Sequence, residues 1–97
     1  MSRYLDFLHT LDCAATLLIE GRRTRCEVVH HIEYSRGDLS DFLAVPLLDK
    51  YHSRDSATGI HHLSRRGFER MFKVSELDLI AVTNNLIWEA LSGAKPR

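Results

Sequence analysis

The chain has 97 residues, 44% of them hydrophobic, with 13 basic and 13 acidic side chains for a formal net charge of zero. That is enough for one small core, expected as a single domain over 1–97 with a short tail at 93–97, and not for two. Neutrality excludes the strongly basic footprint of a typical sequence-specific DNA binder, though Arg22, Arg23 and Arg25 form one local basic cluster and Arg65, Arg66 and Arg70 another.

Tyr4, Leu5, Leu8 and Leu11 recur at helical spacing and predict a helix over 3–11, with Ser2 as its N-cap. Residues 14–20 and 24–34, rich in Thr, Ile, Leu and Val, flank Gly21-Arg22-Arg23 and read as a β-hairpin. A polar loop follows at 35–41, then a short apolar strand at 42–47, where Pro46 marks an edge or an end. A helical turn is expected over 48–52 and a second polar loop over 53–59. Residues 61–72 read as a helix with Leu63, Phe68, Met71 and Phe72 inward and the arginines outward. Ser75 and Asp78 form a capping box for a final helix, whose apolar stripe is Leu79, Ile80, Leu86, Ile87, Ala90 and Leu91 and which Gly93 and Pro96 end. Trp88 and Phe68 are assigned to the core. The sum is an α+β domain with helices around a small sheet.

No apolar run approaches the roughly 20 residues of a membrane helix, and no signal-peptide pattern opens the chain; a cytoplasmic protein without membrane contact is expected. Cys13 and Cys26 lack CxxC spacing and are expected to be reduced, as small buried hydrophobes.

Six histidines are many for this length. His30 and His31 close the expected strand, and His52 and His61 follow; together they can converge on one divalent cation. Neutral imidazole is the commonest protein metal ligand and also a general base near neutral pH. A strand end with one ring inside and one in water fits His30 and His31 equally on spacing alone, and His52 by itself fits a solvated helix residue. His9 and His62 are expected at the surface. Strand, loop, strand and helix, in that order, form the ββα-metal unit of HNH-type nucleases, in which two strands and a helix present ligands to one cation.

The paired histidines, the run Ser40-Asp41-Phe42-Leu43-Ala44-Val45-Pro46-Leu47, Tyr51-His52, Gly59-Ile60-His61, Arg65-Arg66-Gly67-Phe68-Glu69-Arg70 and Glu76-Leu77-Asp78-Leu79 resemble phage and prophage HNH proteins of the recombination-enhancement nuclease (Ref-like) family. The resemblance covers about residues 5–82. It implies that His30 and His52 bind a catalytic divalent ion (Mg, Mn, Ni or Zn) and that His31 is the general base. His61 would be a further ligand or a phosphate contact, and Asp41 would orient His31 or shape the loop. The implied activity is hydrolysis of DNA phosphodiesters in recombination or DNA processing. Arg22, Arg23, Arg65 and Arg66 are the expected contacts to nucleic acid, with an ordinary solvated face as the alternative.

The chain departs from the family at its structural zinc. Of the four ligand positions only Cys13 remains; Thr16, Leu48 and Tyr51 occupy the others, so no structural zinc is expected. A term on the order of 10 kcal/mol that metal binding can couple to folding is then lost. Packing of Leu48 and Tyr51 into that pocket, or formation of a homodimer, would have to offset it. The competing function is a retired HNH scaffold that binds protein, such as a phage-encoded inhibitor of a host defence nuclease.

Overall fold

The computed structural model describes residues 3–32 and 43–93. Its elements are α1 (Arg3–Leu8), α2 (Ala14–Glu20), β1 (Val28–His31), β2 (Ala44–Leu47), α3 (Asp49–His52), α4 (Ile60–Phe72) and α5 (Glu76–Ser92). Mixed helix and strand agree with the α+β expectation. The only sheet among the described residues has two strands, β1 and β2, antiparallel, with Val28 opposite Leu47 and His31 opposite Ala44.

The expected hairpin is wrong in its first arm: residues 14–20 are helical, and β1 pairs with β2 instead. Two local devices decide this. Cys13 Sγ accepts the Thr16 N–H at 3.3 Å as an N-cap, and Gly21 closes the helix at φ 68°, where its N–H bonds the Leu17 carbonyl. Between them Ala14, Ala15, Leu17, Leu18 and Glu20 are good helix formers and outweigh β-branched Thr16 and Ile19. After Gly21 the chain runs back along the end of α1, with Thr24 accepting from Cys13 N–H (2.7 Å) and Cys26 donating to Leu11 (3.0 Å).

β2 is buried along its whole length, Pro46 included, because α2 and α5 pack around it. The main core joins Cys13, Ala14 and Ala15 of the α2 entry to Val45 and Leu47, to Tyr51 and Phe68, and to Leu79 of α5. A second cluster seats α1 through Leu8 and Leu11 against Ala44 and Leu86. The Ser75–Asp78 capping box is present in both directions, and Gly93 ends α5 at φ 73°.

Four core assignments need correction, among them Ala90, which is exposed. Trp88 is 71% exposed and Leu91 74%. The inward face of α5 is Leu79, Thr83 and Leu86, and Trp88 lies about 200° around the helix from Leu86. Met71 is also exposed, at 54%. Among the described residues no helix is long and apolar enough to cross a membrane.

Candidate metal centre

Strand alternation turns His30 inward, where it is 3% exposed; His31, the last residue of β1, is exposed and alternates with it in direction. His52 is the last residue of α3, and His61 the second of α4. The loop between them is tightly closed. Ser53 N–H bonds Asp49 O (2.8 Å), and the Ser56 and Thr58 hydroxyls both donate to Lys50 O, at 2.7 and 2.6 Å. Gly59 completes it: a Cβ there would lie 1.9 Å from Ser53 O, so only glycine lets the loop return against the end of α3.

The result is a cluster of three imidazoles. Ring centroids are 4.6 Å apart for His52 and His61, 5.2 Å for His30 and His61, and 5.3 Å for His30 and His52. One ring nitrogen from each lies within 4.8 Å of the others. A tetrahedral zinc with bonds of about 2.1 Å would need nitrogens about 3.4 Å apart, so the cluster would tighten around a bound ion. Burial, and then the neighbouring His30 and His61, push the His52 pKa down to about 4, so it is neutral at pH 7 and its lone pair is available. The donor set fits a borderline divalent cation.

Reading the sequence missed two residues here. Glu76, the first residue of α5, places Oε2 2.9 Å from His30 Nε2, with both side chains almost fully buried. Its other oxygen, Oε1, is buried and has no hydrogen-bond partner among the described residues. Glu76 belongs to the run Glu76-Leu77-Asp78-Leu79 that shares the resemblance, but an acid just after a helix cap is so common that the sequence assigns it no role. Arg54, in the α3–α4 loop, lines a cavity of about 300 Å³ together with His30, His61, Ser64, Arg65 and Glu76.

The remaining expected residues are dispersed. Arg65 also borders a neighbouring cavity of about 330 Å³ with Arg66. Ser64 breaks α4 at φ 66° and accepts the Gly67 N–H at 3.2 Å, starting the helix afresh at Arg65. Arg22 pairs with Glu20, whereas Arg23 bridges Asp12 and Glu89, a structural tie between the α1–α2 link and α5. His62 is exposed and donates through Nδ1 to Arg54 O (3.0 Å), and His9 is exposed. Asp41 lies outside the described residues.

Among the residues expected to replace a structural zinc, Cys13 Sγ accepts the N–H groups of Thr16 and Leu48. Tyr51 is buried against Phe68 and Phe72, and its hydroxyl donates to Glu20. Leu48 packs half-buried on the same core. No family model matches the chain, and neither the curated proteins nor the solved structures contain a significant match.

Proposed function

We propose that the protein is a metal-dependent DNA endonuclease with an HNH-type ββα-metal core, in which β1, β2 and α3 form the unit and α4 completes it. The observation that carries this reading is the convergence of His30, His52 and His61 beside a cavity that also bears Arg54 and Arg65. His30, His52 and His61 would hold a divalent cation, which would supply Lewis-acid polarisation of a phosphate oxygen and charge stabilisation at the leaving group. Three imidazoles favour zinc or nickel over magnesium. Arg54 and Arg65 offer planar forks of donors to phosphate oxygens at the cavity mouth. His31 alternates away from His30 on β1 and lies outside the cluster, so its role as proton acceptor from water rests on the resemblance.

Cleavage of supercoiled and single-stranded DNA with Mg²⁺, Mn²⁺, Ni²⁺ or Zn²⁺, against EDTA, tests it. Nicking that needs metal and disappears in His31→Ala and His52→Ala is the expected result. A folded protein that cuts under none of these conditions would overturn it. The exposed Leu77, Trp88 and Leu91 on α5 favour a second reading, a protein-binding scaffold, which that negative result would support.

A further inference from the structure

We propose that Glu76 is the positioning residue of the histidine centre: its carboxylate holds the proton of His30 on Nε2 and so presents Nδ1 to a cation shared with His52 and His61. The inference rests on the reading of these histidines as a metal site, and it adds the element that sets the tautomer and orientation of the deepest ligand.

The geometry has three parts. First, the 2.9 Å contact between Glu76 Oε2 and His30 Nε2 is a well-formed hydrogen bond between side chains that are 5% and 3% exposed. An ionised carboxylate only accepts, so the imidazole must donate through Nε2, and the nitrogen left with a lone pair is Nδ1. Metal-bound histidines generally donate their other ring N–H to a carboxylate, carbonyl or water, which fixes the ring and raises its basicity.

Second, Glu76 is itself held rigidly. It follows Ser75, whose side chain accepts the Asp78 N–H at 3.1 Å while Asp78 accepts the Ser75 N–H at 2.8 Å. That reciprocal pair fixes the first turn of α5, and with it the origin of the Glu76 side chain.

Third, the carboxylate is incompletely satisfied by protein alone. Oε1 is buried without a partner, and Glu76 faces the same cavity as His30 and His61. A buried carboxylate is costly unless positive charge lies close. A cation on His30 Nδ1 puts that charge one ring away. A carboxylate, a neutral imidazole and a cation in line form a consistent set. A purely structural His–Glu pair gives no reason for two more histidines to face the same ring.

Zinc binding to the full chain, followed by calorimetry, with Glu76→Gln and Glu76→Asp beside the wild type, separates the possibilities. Glutamine keeps an acceptor and the shape but loses the charge, so Glu76→Gln is expected to bind zinc 10–100-fold more weakly, with partial recovery in Glu76→Asp. Long-range ¹H–¹⁵N correlation on the wild type is expected to show the His30 proton on Nε2 without metal and zinc on Nδ1 with it. Wild-type zinc binding that Glu76→Gln leaves unchanged would overturn the role of Glu76 and leave the three-histidine site standing. Absence of zinc binding by the wild type would overturn both. Should Glu76→Gln fail to fold, the His30 spectrum decides alone: a proton on Nδ1, or zinc on Nε2, contradicts the proposal.

Discussion

The backbone N–H of Leu48 donates to Cys13 Sγ at 3.1 Å, so a thiol at the start of α2 grips the link between β2 and α3. The same sulfur caps α2 through Thr16 N–H, so one buried atom satisfies two backbone donors from segments far apart in sequence. Where the resembled family would place a metal cross-link, this chain has a sulfur-centred hydrogen-bond junction. Cys13→Ala leaves both donors unpaired and opens a small void. A loss of about 1–3 kcal/mol in urea unfolding is expected. A variant as stable as the wild type would show that the junction contributes nothing.

Thr16 sits beside that junction, fully buried, with Oγ1 unpartnered among the described residues. Valine has nearly the same shape and the same branching without the hydroxyl. Thr16→Val is therefore expected to stabilise the fold by about 1 kcal/mol. Thermal unfolding of the two proteins side by side checks it, and a lower midpoint for the variant would mean that the hydroxyl is paired in solution.

Gly59 links the loop to the site. The Cβ position of Gly59, two residues before His61, falls on the carbonyl of Ser53, one residue after His52. Gly59→Ala must push the α3 end and the α4 start apart, because the clash is with backbone and not with a flexible side chain. Zinc affinity is expected to fall at least tenfold and DNA cleavage to drop with it, while the α5 capping box is untouched. Unchanged affinity would show that the histidines do not depend on this close approach.

Glu20 accepts from Tyr51 and pairs with Lys50 (2.9 Å) and Arg22 (2.8 Å). These partners hold its carboxyl down to about 2, against 4.5 for the free group, with the Tyr51 hydrogen bond as the largest cause. Between those values the unfolded state binds more protons, so the contribution is fully present above about pH 4.5 and lost as pH falls toward 2. The stability gap between wild type and Glu20→Gln is expected to shrink steadily over that range. A gap that stays constant down to pH 2 would contradict the assignment. Cys26 is more protected: burial pushes its thiol up to about 11, which suits an inert side chain.

The parts of the fold legible in the sequence are those set locally. The Ser75–Asp78 box and Gly93 delimit α5 without help from the rest of the chain. The two strands and the helical turn that follows them are likewise visible in sequence, while the polar loop expected at 35–41 lies outside the described residues. Helix α2 was hidden because its N-cap is a cysteine and because Thr16 and Ile19 weigh toward a strand in isolation. Trp88 and Leu91 look like core by hydropathy, yet the core face of α5 is set by where β2 meets it. The three clustered histidines were all identifiable as ligand types. Glu76 was not, because its contact with His30, 46 residues earlier in the chain, arises only when α5 comes to lie against β1.

The most direct test is anomalous diffraction from crystals of the protein grown or soaked with zinc, measured on both sides of the zinc edge. The account expects one strong peak bonded to a nitrogen of each of His30, His52 and His61 at about 2.1 Å. A peak elsewhere, or none at this cluster in zinc-saturated crystals, would contradict the assignment of these histidines as a metal centre.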